Sequence, residues 1–252
     1  MTCMNIRRIH VPSAIFCVVL GLLAILYTGP ITALFYTKWQ ARNAPEMWVV
    51  PKPLPDVSIE RSAGEKFSYF GYEFESPWTE VKRERKWESI AILNFSNGAF
   101  VSILDPAHGA DELQLIKQEA SKRGTDIRNV FGDEATRSRY SLLAKILYLT
   151  PKDLSLFSSR QDMVSNSILL ILKSIHTKRL KGGLYSFQTE WLRGFQEGAP
   201  EQDKMVIIEA FDAQDHKIEL WIGSEQGAVK LSQSEVNRIL YSLHPASSSR
   251  PD

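Results

Sequence analysis

The sequence predicts an α+β domain, an antiparallel sheet with packed helices, preceded by one N-terminal transmembrane helix. Three observations carry that reading. Residues 11–37 hold no charged side chain. Asn97-Gly98 lies between two apolar runs, the strongest short hairpin signal. Alternating segments and segments of helical period are segregated along the chain, which favours hairpins with helices packed on them over alternating βα units.

The uncharged run begins at Val11 and ends before Lys38. About 20 apolar residues suffice to cross a hydrocarbon core as a helix at ~1.5 Å per residue. Arg7 and Arg8 precede the run, and positive charge tends to stay in the cytoplasm, so they orient the amino end inward and the remainder outward. Residues 1–10 are thus expected as a cytoplasmic N-terminus and 11–37 as a transmembrane signal anchor. Ile31-Thr32-Ala33 is a poor cleavage site, which favours a retained anchor over a removed signal peptide. Pro30 should kink or end the helix, and Tyr27, Tyr36 and Trp39 suit an interface.

Residues 38–62 read as a Pro-rich linker. Pro51, Pro53 and Pro55 fix φ and remove amide donors, so this stretch should be extended and stiff, holding the domain off the bilayer. Residues 63–245 form the globular domain and 246–252 a loose tail. The chain carries 30 Lys+Arg against 29 Asp+Glu; without Arg7 and Arg8 the balance is 28 against 29. A nucleic-acid binder would show a basic excess, so no nucleic-acid partner is expected. The two cysteines, Cys3 and Cys17, precede the domain, which therefore has no disulfide, thiol nucleophile or thiolate metal site.

Within the domain, 67–76 alternates as one strand, 79–88 is a charged connection, and 89–95 and 99–104 flank the Asn-Gly turn. Helices are expected at 111–123, 138–149, 151–158 and 159–180. Strands follow at 185–192, 205–212 and 217–222. Ser232 with Glu235 is a capping box opening the final helix, in which Val236, Ile239, Leu240 and Leu243 face inward. Phe74-x-x-Pro77-Trp78, the Asn-Gly hairpin, the long central helices and the capped last helix resemble the Mog1/PsbP-like sandwich in element order over about residues 65–244. That resemblance implies a binding or assembly factor more often than an enzyme. The chain is also similar to uncharacterised membrane-anchored bacterial proteins, which implies no activity.

Catalytic signatures are weak. No Ser lies in G-x-S-x-G, and Gly182-Gly183 follows a helix instead of opening one, so neither a nucleophile elbow nor a phosphate loop is indicated. His108 among Asp105, Asp111 and Glu112 is the arrangement an envelope hydrolase would need, although Asp111 is also explained as a helix cap. No His pair has metal-ligand spacing, and no cofactor is expected. Lys82, Arg83, Arg85 and Lys86 read as a solvated charge run. Trp191, Arg193 and Phe195 at a strand end, with Trp78, are the candidate binding residues, because aromatic and Arg side chains anchor contact surfaces. The function expected is a membrane-tethered extracytoplasmic binding or accessory module of a bacterial envelope, its partners the inner-membrane bilayer and an envelope protein. The alternative is a membrane-anchored envelope hydrolase using His108 with nearby carboxylates.

Overall fold

The structure is a computed structural model that describes residues 29–56, 64–107, 114, 117–118, 121–122, 124, 126–177, 183–225 and 229–246. It is a mixed α+β fold. Eight strands form one large sheet: β1 (Lys52–Pro53), β7 (Leu184–Gln188), β8 (Arg193–Glu197), β9 (Met205–Phe211), β10 (Lys217–Ser224), β6 (Ala99–Leu104), β5 (Ile90–Phe95) and β4 (Val81–Lys86), in that spatial order. Every neighbouring pair is antiparallel except β1 with β7. A second, antiparallel sheet orders β11 (His244–Pro245), β3 (Tyr72–Ser76) and β2 (Glu65–Tyr69).

The period-two alternation of the strands divides the large sheet into two faces. On one, Leu93, Val101, Ile208 and Leu220 pack with Phe74 of the small sheet and with Val236, Ile239 and Leu240 of the last helix, α6 (Gln233–Ser242). On the other, Leu184, Phe195 and Phe211 pack with Leu143 and Leu147 of α4 (Arg139–Tyr148). The helical layer continues with α2 (Ile127–Phe131), α3 (Asp133–Arg137) and α5 (Arg160–His176), whose Ile168 and Leu169 join Phe131, Ala135 and Leu142 in a cluster of their own.

Several elements differ from the sequence expectation for identifiable reasons. The alternating stretch 67–76 is a hairpin, not one strand: Phe70 and Gly71 take φ of 53° and 80° and turn the chain between β2 and β3. The apolar alternation runs unbroken through that turn, which hides it. The charged stretch 79–88 contains edge strand β4, where charge is compatible with pairing because one side has no neighbour. The expected strand 185–192 ends at Gln188: residues 189–192 form a turn, in which the Thr189 N–H donates to the Leu192 carbonyl at 2.7 Å, and the chain reverses into β8. The Asn-Gly hairpin forms, but only Gly98 has positive φ, at 89°, and its N–H donates to Phe95 O at 2.9 Å. The expected helix 151–158 is a single 3₁₀ turn at Pro151–Asp153. The expected helix 111–123, like His108, lies mostly outside the described residues.

The largest difference concerns residues 30–56. Gly29, with φ 84° and ψ 161°, separates α1 (Pro30–Ala41) from what precedes it, and Pro30 takes the first helical position, where a missing N–H costs nothing. Buried Ala33 packs with Ile168 and Leu169, and buried Leu34 and Ala41 pack with Leu170 of α5. A 3₁₀ turn at Pro45–Trp48 buries Met47 in the same cluster, and β1 then pairs with β7. Residues 38–56, expected as a stiff spacer, are therefore packed on the domain: the prolines fix a path along its surface. Among the described residues no helix is long and apolar enough to cross a membrane. Residues 11–28 of the expected span lie outside the described residues, and 30–37 belong to α1.

Candidate functional site

Among the described residues, the cluster of ionisable groups that could together hold a metal ion is assembled by strand register and by the end of α5. Phe195 of β8 faces Glu209 of β9, so Glu197 and Glu209 are diagonal neighbours on the helix-covered face. Phe211 faces Lys217 of β10, which places that ammonium diagonally on the other side of Glu209. His176, the last residue of α5, brings its Nε2 to 2.8 Å from Glu197 Oε1 and 2.9 Å from Glu209 Oε2. Lys217 Nζ contacts Glu209 Oε1 and lies 3.7 Å from Glu219 Oε2.

Burial favours the neutral form of both His176 and Glu209, and the mutual attraction of opposite charges overrides it. The two carboxylates hold His176 well above its ordinary 6.5. Lys217 and His176 hold Glu209 well below its ordinary 4.5. Nε2 carries one proton and faces two acceptors, so Glu197 Oε1 is buried without a well-aligned hydrogen bond. The three ligating atoms lie within 4.8 Å of one another, and one nitrogen with two oxygens suits a divalent transition metal. Lys217 weighs against that occupant. Its ammonium already sits on Glu209 Oε1, on the side away from His176, where it competes with any added cation. The cluster is a proton-bearing ionic lock between α5 and the sheet.

Two further polar centres are structural. Asp212 Oδ2 accepts from Tyr72 Oη at 2.8 Å and from His216 Nδ1 at 2.9 Å, tying the small sheet to the β9–β10 turn. Burial raises the Asp212 carboxyl, but its hydrogen bonds from His216 and Tyr72 outweigh that and hold it below its ordinary value. Lys173 is fully buried in α5 and donates to Leu149 O at 2.6 Å, closing the end of α4. Burial pushes its ammonium down to about 8, against the pull of Asp153.

The four candidate binding residues do not share a groove. Trp78 is buried on the small-sheet side, its ring 5.2 Å from Phe95 and its Nε1 donating to Glu235 at 3.0 Å. Phe195 is fully buried on the opposite face, stacked on Tyr140 at 5.7 Å. Arg193 lies over the other part of that aromatic group, its guanidinium carbon 4.1 Å from the Tyr140 ring centre. Trp191 stays half-exposed in the β7–β8 turn, 6.5 Å from the His244 ring. Asp105 accepts from the Ala107 N–H at 2.9 Å, a turn role, while His108 lies outside the described residues. His176, Glu197 and Glu209 were not among the sequence candidates. A faint signal existed in Glu209, a lone charge in Val206-Ile207-Ile208-Glu209-Ala210-Phe211.

The helix α1 presents a different kind of surface. Its inward stripe is Ala33, Leu34, Thr37 and Ala41. The opposite stripe, Ile31, Phe35 and Trp39 at i, i+4 and i+8, is 58%, 57% and 60% exposed, where a helix of a water-soluble domain carries polar residues. Tyr36 flanks it, 6.2 Å from the Trp39 ring.

No protein-family model, no curated protein and no solved structure matches this chain. The likeness in element order to the Mog1/PsbP-like sandwich therefore adds nothing to the functional argument.

Proposed function

We propose that this protein is a membrane-tethered accessory module, held by residues 11–28 in a bacterial inner membrane with its α+β domain on the extracytoplasmic side. The observation that carries the reading is the junction at Gly29-Pro30. An uncharged apolar run leads directly into a helix that is packed on the domain, so the tether is joined to the fold without a free spacer. Eighteen residues as a helix would extend about 27 Å, close to the thickness of a hydrocarbon core. Arg7 and Arg8 favour an inward amino end. Among the described residues the ionisable clusters hold elements together, which supports binding or assembly over catalysis.

The test is fractionation of cells making the full chain. The protein should stay with membranes through an alkaline carbonate wash. External protease should digest the domain in spheroplasts but not in intact cells. Cross-linking in membranes should then return a stoichiometric envelope partner. Recovery in the soluble cytosol would contradict the reading.

A further inference from the structure

We propose that the outward stripe of α1 is a lipid-contact surface: Ile31, Phe35 and Trp39, flanked by Tyr36, lie in the headgroup layer, so the domain rests on the bilayer instead of hanging from it. This rests on the tethered reading above and adds where the domain sits.

Four observations carry it. First, α1 is apolar on both faces. Its inner face is occupied by α5, and a second apolar stripe of three residues at helical spacing is left facing out. Second, the occupant is indicated by continuity. The uncharged run continues through Gly29 into α1, and the exposed stripe begins two residues after that glycine, so a membrane that receives residues 11–28 places this stripe within a few residues of its surface. The positive φ of Gly29 interrupts the helical path there, which allows α1 to leave the direction of the span. Third, the residue types fit the interface. Trp and Tyr settle at headgroup level, and the charged members of the helix end, Lys38 and Arg42, are both basic. The first carboxylate of the whole chain is Glu46, so nothing in α1 repels an anionic lipid. Fourth, the loop after the 3₁₀ turn at Pro151–Asp153 also carries exposed apolar side chains. Leu154 enters the cluster of Leu34 and Ala41, and the same loop then leaves Leu156 54% exposed and Phe157 fully exposed. Trp48, whose Nε1 donates to Ala41 O at 2.8 Å, is also half-exposed.

The test uses the full chain in phosphatidylcholine–phosphatidylglycerol vesicles, with Cys3→Ser and Cys17→Ser removing the native thiols. An environment-sensitive fluorophore is attached at Phe35→Cys, at Phe157→Cys and, as a control, at Trp87→Cys, which is exposed between β4 and β5. The labels at 35 and 157 are expected to be quenched by spin-labelled lipid and several-fold protected from iodide, and the label at 87 the reverse. Equal iodide access at 35 and 87, in protein that resists alkaline extraction, would overturn the lipid contact while leaving the tether standing. Protection from both quenchers would also overturn it, since residue 35 would then be covered by protein. Loss of the chain from the vesicles on alkaline washing would sink the tether, and the lipid contact with it. Should the labelled chains fail to fold, the loss of brominated-lipid quenching on Trp39→Phe reads the same face. An unchanged tryptophan signal there would contradict the proposal.

Discussion

Glu209 stays ionised in the middle of a sheet because Lys217 and His176 both face it, and each group of the trio depends on the others. Neutralising the buried Glu209 takes the shared partner from two half-buried cations, His176 and Lys217. Glu209→Gln is expected to cost about 3–5 kcal/mol, read from urea unfolding. The pH dependence follows from the two directions of shift. Glu209 is held below its ordinary 4.5, so its contribution is complete above about pH 4.5 and is lost as pH falls from there. His176 is held above its ordinary 6.5, so its contribution is complete below about pH 6.5 and is lost as pH rises through the raised value. The lock is therefore strongest between these limits. Unfolding free energies should peak in that window, and His176→Gln should flatten the alkaline limb. An alkaline limb unchanged in the variant would show that another group sets it. Backbone proximity makes a second residue-scale prediction. A Cβ on Gly194 would meet Glu209 O at 2.0 Å and Ala210 Cα at 2.9 Å, both main chain and unable to yield. Gly194→Ala should destabilise by about 3 kcal/mol.

At the scale of elements, caps decide where helices begin. Ser232 Oγ accepts from the Glu235 N–H, and Glu235 Oε2 accepts from the Ser232 N–H at 2.8 Å, so Ser232→Ala should cost about 1 kcal/mol. The start of α4 is capped across the chain. Asp215, at φ 66°, accepts from the N–H groups of Arg139 and Tyr140, which docks the β9–β10 turn on the helix. Asp215→Gly keeps the backbone conformation and removes the cap; a loss of about 1 kcal/mol in thermal unfolding is expected, and no loss would mean that Ser138 alone suffices. These two caps also show what the sequence reveals. Ser232-x-x-Glu235 is local and was legible. Asp215 acts 76 and 75 residues from its partners and was not. The same distinction explains the strands. The hairpin at Asn97-Gly98 announces itself, while the turn at Phe70-Gly71 is masked because an aromatic residue accepts positive φ there. The ionic lock is the extreme case, since Glu197 and Glu209 meet only through the register of β8 and β9, and His176 reaches them from the end of α5. A buried amide chain from Gln196 through Gln233 and Asn237 to Pro55 O is similarly silent in sequence, yet it fastens the segment expected as a spacer.

The whole molecule then reads as a layered domain whose first helix belongs both to its packing and to its proposed setting. The two readings of residues 38–62 make different demands on the space beneath the domain. As an extended spacer this stretch would reach roughly 75 Å at ~3.1 Å per residue. With α1, the 3₁₀ turn and β1 packed on α5 and β7, the domain has no such reach. Neutron reflectometry on the full chain in a supported bilayer distinguishes them most directly. The account predicts protein density that begins within the headgroup layer, with no water layer beneath the domain. A resolved water gap of tens of ångströms between bilayer and domain would contradict it.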